Sequence, residues 1–553
     1  MVGMERDSIF RFSPHATSAA KGDVKILGTK AFTLARIARL GLPVPPAFVL
    51  GTPHCRHWYQ APERSRKSLA GLLGEQMHWL QSVTGMTFGD TRTPLLVSVR
   101  SGAPVSMPGM MDTLLNVGLC DSTVHGLLRI TGNPRLVWDS YRRLIQNFAE
   151  IVYNADPHPF SAELEALLAR EQLNRFQELD YLHLTELTQS YLRLFGELTG
   201  KQFPQNPYDQ LELAVQAIFA SWNSPRAVEY RRLYDISDDL YTAVTIQKMV
   251  FGNAGGTSGS GVGFTRDPDT GERGLYIDFL FNSQGEDVVA GRIGGSDTER
   301  LALILPETLQ ELCTIGTSLE REFRDAQEFE FTVQDRVLYL LQTRLARRTP
   351  WAALKMAVDQ VKEGIIGHKE ALDRLAGLQL DGIKRQRLLT EGKQPLCQGQ
   401  AAGIGVAVGA IVLDAAAAQR FSAEKRPVVL VRDDLTTADI AAIAISAGVV
   451  TARGNRTSHA AVVARQLGKA CIAGCGTLRI DLNRRCAVFG DQPLSEGEMI
   501  TLDSNTGRVF RGEAELVTDY PTPWLEEVRK WRAAASQQQS VMRPRRARKA
   551  AGR

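Results

Sequence analysis

The chain has 553 residues, 44% of them hydrophobic and 23% charged, with a formal net charge of +4. That length exceeds one core and implies three or four domains, and the composition is that of an ordinary globular protein. The near-neutral body excludes a general nucleic-acid binder, no apolar run reaches membrane-spanning length, and residues 1–12 lack the apolar core of a secretory signal.

Seven cysteines are scattered without a CxxC pair, which fits reduced thiols in a cytoplasm. His54 and His57 form an HxxH with no further ligand nearby, a spacing that arises by accident more often than as a zinc site. In chain order, residues 25–50 read as a short strand, a loop at Gly28-Thr29-Lys30, a helix over 31–40 and a second strand after Pro43-Val44-Pro45. Residues 95–99 form an apolar β run that leads into Arg100-Ser101-Gly102 and a donor-rich loop, Ser106-Met107-Pro108-Gly109-Met110-Met111-Asp112-Thr113. From 133 to 202 the apolar spacing is helical, as in Trp138, Tyr141, Leu144, Ile145 and Phe148. Strand-like alternation returns at 241–251 and 275–281, and 328–342 reads as a hairpin turning at Gln334-Asp335.

Residues 350–389 are helical and charged, the pattern of a rigid connector. After Gly392 the texture becomes Ala, Gly and Val, with short strands over 404–413, 428–431, 448–451 and 470–472 in a second compact α/β domain ending near Arg511. One helix around 524–534 precedes a basic tail with Arg543, Arg545, Arg546, Arg548, Lys549 and Arg553, expected to be disordered and the one segment able to bind nucleic acid or an acidic partner. No internal repeat is present.

The first half contains no GxxxxGK[ST], which excludes a P-loop NTPase. The glycine-rich run 252–261, with Thr257, reads either as a phosphate-closing loop or as a long hairpin turn. Glu328 and Glu330 share one strand face, with Gln342 and Arg344 at the same spacing on the partner strand. That is the pattern of a Mg²⁺-nucleotide floor or of a solvated strand face. Gly403-Ile404-Gly405 lacks a preceding apolar strand and reads as a tight turn, not a dinucleotide loop. Thr457-Ser458-His459 stands before an apolar run of small residues. A hydroxyl there caps a helix whose amides favour an anion, so His459 is placed to take up a phosphoryl group; alternatively it is a partly buried histidine behind an ordinary cap.

Several long segments resemble the pyruvate phosphate dikinase family: 97–103 with 106–113, 138–143, 221–226, 284–291, and Thr457-Ser458-His459 with 468–471 and Gly474-Cys475. Together they cover roughly residues 20–515. Phosphoenolpyruvate synthase is a cousin, but the SMPGMMDT loop favours the dikinase. The resemblance implies an α/β multidomain protein. An ATP-grasp domain over 1–345, with a helical insert at about 120–205, is followed by a helical linker over 346–392. A swivelling β/β/α phosphohistidine domain over 393–515 and a linker helix with tail over 516–553 complete it.

It further implies that ATP and phosphate give AMP and pyrophosphate while His459 becomes phosphorylated. Lys30 and Arg100 would hold phosphates with Thr257 and the amides of Gly109, Met110 and Met111, while Gln342 and Arg344 line them. Glu328 and Glu330 would carry Mg²⁺, and Thr457 sits where plant relatives are regulated by phosphorylation. Such chemistry is mostly positioning and charge neutralisation.

This sequence departs from the family in Gly28-Thr29-Lys30-Ala31, a less glycine-rich version of its segment, and in Gly454-Asn455-Arg456 ahead of the histidine. Asn tolerates a left-handed backbone, and Arg456 adds positive charge beside His459 that favours phosphate. No counterpart of the family's pyruvate-binding barrel follows Arg511, so the expected acceptor is pyruvate or another group on a separate chain. Rival readings are a kinase for a different small molecule, with a pocket in the insert, and a non-catalytic nucleotide sensor or scaffold.

Overall fold

The computed structural model describes residues 8–13, 16–17, 22–105, 107, 110–173, 176–285, 298–389, 394–403, 405–435, 439–454 and 459–550. The chain divides into two compact units, residues 1–258 with 332–343, and residues 259–331 with 344–553.

In the first unit, β1 (Ile9–Ser13), β2 (Ala16–Thr17), β3 (Ala47–Leu50), β4 (Val97–Gly102), β5 (Thr113–Val117) and β6 (Ala243–Lys248) build one sheet. Its order is β2-β1-β3-β6-β4-β5, and every neighbouring pair is antiparallel. β3 is apolar and buried along its whole length, as a strand covered on both faces must be. The short strand expected near Lys25 is instead the start of helix α1 (Val24–Arg39). Asp23 caps it by accepting from the Lys25 amide at 3.1 Å, and Leu27, Ala31, Leu34, Ala35 and Ala38 bury one face. Gly28, at φ 72°, interrupts the helix without ending it.

Helices α2 (Pro134–Tyr153), α3 (Tyr181–Thr199) and α4 (Pro207–Ser221) follow the 3.6-residue apolar spacing. Tyr141, Leu144, Ile145 and Phe148 of α2 share one core with Leu184, Leu187, Tyr191 and Phe195 of α3.

In the second unit, β7 (Gly259–Arg266), β8 (Arg273–Phe281) and β9 (Gln327–Gln334) lie in the order β8-β7-β9. The expected hairpin is present: β9 turns through Asp335 (φ 49°) and Arg336 (φ 70°) into β10 (Val337–Leu345). Two consecutive left-handed residues form the tight turn whose twist suits a β-hairpin. Helix α5 (Pro306–Phe323) precedes β9. The helical connector expected over 350–389 is broken into α6 (Pro350–Lys362), α7 (His368–Leu375) and a short strand, Arg385–Leu388, that pairs with Leu516–Asp519. Gly364, at φ 72°, follows the end of α6, a conformation glycine adopts at little cost.

The second unit also holds an eight-stranded sheet of β11 (Cys397–Gln398), β12 (Gln400–Ala401), β13 (Val406–Val412), β14 (Val428–Arg432), β15 (Gly448–Thr451), β16 (Ala470–Ala473), β17 (Met499–Asp503) and β18 (Arg508–Arg511). The order is β11-β18-β17-β13-β14-β15-β16-β12, with β13 to β16 parallel. The single segment 397–401 supplies both edge strands, so the chain links the two ends of the sheet. Helix α8 (His459–Gln466) connects β15 to β16, packing Ala461 and Ala464 against Val449 and Cys471.

Helix α9 (Thr522–Ala550) packs Val528 and Trp531 on Leu354, Val358 and Leu375. It runs to Ala550 through the segment expected to be unstructured, in keeping with its Ala, Gln, Arg and Lys content. Among the described residues no helix is long and apolar enough to cross a membrane.

Candidate functional site

Lys30 and Arg100 are brought to one end of the first unit by a close backbone approach. A Cβ on Gly28 would lie 1.8 Å from the Gly102 carbonyl oxygen, so α1 passes directly over the end of β4. The Thr29 amide donates to the Ala103 carbonyl at 3.0 Å, and the Thr29 hydroxyl donates to Pro104 at 2.7 Å. Lys30 therefore leaves its helix beside Gly102, two residues along β4 from Arg100.

Arg100 pairs with Thr245 on one side and Thr113 on the other. Its Nη1 donates to the Leu341 carbonyl at 3.5 Å, which sets the guanidinium against the strand that carries Gln342. Gln342 is buried. Three further bonds hold the hairpin tip within this unit. The Leu340 amide donates to Pro43 at 2.7 Å, the Asp335 amide to the Ser258 hydroxyl at 2.9 Å, and the Arg336 amide to the Thr257 carbonyl at 3.2 Å. Thr257 thus meets the hairpin through its backbone.

The glycine-rich run resolves into two parts. Residues 252–258 receive the hairpin tip, whereas Gly259 and Gly261 lie inside β7. A Cβ on Gly259 would lie 2.2 Å from the Phe279 ring, and one on Gly261 2.6 Å from the Phe331 ring. Those two glycines make room for aromatic side chains, and Phe279 and Phe331 stack with centroids 5.8 Å apart.

Met110 and Met111 are half-buried against the core, and the Met110 amide donates to Met107 at 3.2 Å. Gly109 and Thr457 lie outside the described residues. A contact that sequence reasoning missed tethers this loop: Arg226 donates to Asp112, an ion pair between two motifs far apart in the chain. Both residues fall in segments that carry the family resemblance, but nothing in their spacing pairs them.

At the base of the hairpin, Glu328 is buried and its Oε1 accepts from Arg344 Nη2. Burial opposes the charge on Arg344, yet the hydrogen bond to Glu328 and the charges of Glu328 and Glu330 outweigh it and raise the guanidinium pKa. No cluster of three or more His, Cys, Asp or Glu side chains that could hold a metal occurs among the described residues. The donor set is therefore two carboxylates on one strand beside a cation. It suits Mg²⁺ that brings phosphate oxygens and water with it, and not an all-protein cage.

His459 is the first residue of α8, following the carboxyl end of β15. The carboxyl ends of parallel strands and the start of a helix both favour an anion. Beyond the carboxyl end of β15, the Arg453 amide donates to the Asp433 carbonyl at 2.9 Å, and the Cys475 amide donates to the Thr451 carbonyl at 2.9 Å.

Two stretches of the chain match known protein families. Residues 73–302 match the model of the pyruvate phosphate dikinase AMP/ATP-binding domain, and residues 424–507 match the mobile domain of PEP-utilising enzymes. The chain is 39% identical over 513 residues to pyruvate, phosphate dikinase of Clostridium symbiosum, covering 92% of this chain and 58% of that protein. It is 39% identical over 546 residues to the Rhizobium meliloti enzyme, covering 96% and 61%. It is also 39% identical over 526 residues to the chloroplastic dikinase 1 of Arabidopsis thaliana, covering 95% and 54%. The chain thus spans little more than half the length of these relatives.

Proposed function

The chain is related to the pyruvate, phosphate dikinases through their AMP/ATP-binding and mobile domains, and on that premise we propose that it is an ATP-dependent phosphotransferase that phosphorylates its own His459. The observation that carries the reading is the bond from Arg100 to the Leu341 carbonyl. It sets the Arg100 guanidinium beside the strand that bears Gln342, in a unit whose Lys30 lies next to Gly102 on the Arg100 strand.

Release of AMP requires the bond between the α- and β-phosphates of ATP to break, with His459 as the nucleophile at the β-phosphorus. Phosphate then accepts the γ-phosphoryl group, pyrophosphate leaves, and the β-phosphoryl group stays on the imidazole. Lys30, Arg100 and Arg344 neutralise the phosphate oxygens, with Gln342, Thr257 and the Met111 amide as further donors; the Met110 amide is spent on Met107. Glu328 and Glu330 would hold Mg²⁺, whose charge would offset that of the transferring phosphates. The positive end of α8 stabilises the phosphohistidine. Discharge of that group onto pyruvate or another acceptor falls to residues outside these 553.

The test is incubation with Mg²⁺, phosphate and ATP labelled at the β position. Acid-labile label on the wild type and not on His459→Ala, with AMP appearing, is the expected result. Folded wild-type protein that leaves ATP intact and takes no label overturns the reading.

A further inference from the structure

Thr245 lies within β6 and is 3% exposed, yet its hydroxyl oxygen has no hydrogen-bond partner among the described residues. The strand register fixes what it faces. Opposite Thr245 stands Arg100 in β4 on one side and Val49 in β3 on the other, both in antiparallel pairs. Residues directly opposite share a face of the sheet, with Cβ atoms about 4.5–5.5 Å apart. Ala243 and Gln247 come next along β6 on that face. Val49 and Ala243 have no polar side-chain atom, and the Gln247 amide nitrogen donates to the Pro45 carbonyl at 3.1 Å. Arg100 is the charged member of this group.

Other hydroxyls beside the same two strands find partners. Thr242 accepts from the Gly102 amide at 3.2 Å and donates to the Ala243 carbonyl at 2.9 Å, and Ser98 donates to the Gln247 carbonyl at 3.5 Å. The buried Ser101 hydroxyl also has no partner among the described residues, but Ser101 stands opposite Val244 and so on the reverse face from Arg100.

A buried hydroxyl left without a partner costs free energy that the rest of the fold must offset. A phosphate held by Arg100 would bring acceptor oxygens to the row in which Thr245 stands. Hydrogen bonds to such charged acceptors are stronger than those between neutral groups.

We propose that Thr245 is a further nucleotide-binding residue, its hydroxyl donating to the phosphate group that Arg100 holds. The inference rests on the functional reading above and adds a neutral donor beside that cation.

The experiment is calorimetric titration of the full chain with ATP, in a His459→Ala parent so that no phosphoryl transfer consumes the nucleotide, alongside the thermal midpoint of the protein alone. Thr245→Val removes the hydroxyl and keeps the branched shape. It should weaken ATP binding about tenfold or more and raise the midpoint, two effects of opposite sign that a purely structural hydroxyl does not produce. Thr245→Ser keeps the donor and should bind ATP as the parent does, and so should Ser101→Ala on the reverse face. In an Arg100→Lys background the loss from Thr245→Val should shrink, because both side chains grip one group.

Unchanged ATP affinity in Thr245→Val overturns the inference. So does a lowered midpoint, which would mean that the hydroxyl is already bonded, for example to water. A matching loss in Thr245→Ser or Ser101→Ala, or an undiminished loss in the Arg100→Lys background, overturns it too. Each of these results leaves the functional reading standing, whereas a parent that binds no ATP removes that reading and the inference together.

Discussion

Arg344 closes back on Glu328 within a single hairpin, so a cation beside one of the two candidate metal carboxylates is supplied by the strand that also carries Gln342. Glu328 is 8% exposed, and beside Glu330 its charge would repel without a partner. Before any nucleotide arrives, Arg344 supplies that compensation.

Replacement of Arg344 by Met tests this arrangement. The variant removes the Arg344 bond to buried Glu328, and because Arg344 is itself partly exposed the expected stability cost is modest, about 1–2 kcal/mol. Labelling of His459 should fall about a hundredfold or more, the usual cost of losing a preorganised charge at a transition state. Denaturant unfolding and the β-label assay separate the two effects. A variant that keeps above a tenth of wild-type labelling removes Arg344 from the site.

Gly28→Ala probes the other end of the site. The residue has φ 72°, and the added Cβ would meet the Gly102 carbonyl at 1.8 Å, a backbone atom that no rotamer change can move. The expected cost is about 2 kcal/mol or more, with ATP binding weakened because Lys30 shifts away from β4. Thr29→Val is the comparison: it removes only the hydroxyl bond to Pro104 and should cost about 1 kcal/mol. Calorimetric titration with ATP measures both. Equal affinity in Gly28→Ala and wild type would show that the clasp does not position Lys30.

Burial pushes the thiols of Cys55 and Cys471 up to about 12 from 9.0. These are acids whose folded pKa is raised, so the native state keeps protons that the unfolded chain gives up. Stability is therefore unaffected by them below pH 9.0 and falls as the pH climbs from 9.0 toward about 12. Alkylation at pH 8 should modify the exposed Cys313 first and reach Cys55 and Cys471 only through unfolding. Peptide mapping after a short pulse of iodoacetamide reads the order. Rapid modification of Cys471 at pH 8 would contradict its burial beneath α8.

The hairpin over 327–345 was legible because alternation with period two is local and its turn residues are polar. Residues 25–27 were not. Leu27 and Ala31 repeat at helical spacing, but Gly28 between them reads as a loop, and its tolerance of a positive φ inside a helix depends on the Gly102 approach. The glycine-rich run misled for a related reason: Gly259 and Gly261 face rings contributed by Phe279 and Phe331, which lie farther along the chain. The roles expected of Lys30 and Arg100 came from motif resemblance, whereas that of His459 was also legible in the hydroxyls before it and the small apolar run after it. The ion pairs Arg226–Asp112 and Arg465–Asp269 had no sequence signal, since each joins charges whose spacing carries no period.

Gly263 gives the clearest test of why β7 is glycine-rich. The three atoms nearest a Cβ at this position, at 2.4, 2.8 and 2.9 Å, all belong to the Phe329 ring. Gly263→Ala should therefore destabilise the protein by about 1–3 kcal/mol through overpacking. Phe329→Leu alone should cost about 1–2 kcal/mol through lost burial. In the double variant the smaller side chain vacates the space that the methyl group needs, so the combined loss should fall short of the sum by about 1 kcal/mol. Urea unfolding of the four proteins closes the cycle. Additive losses would mean that the ring does not occupy this groove, whereas Gly263→Ala with normal stability and weakened ATP binding would move the glycine from packing to nucleotide contact.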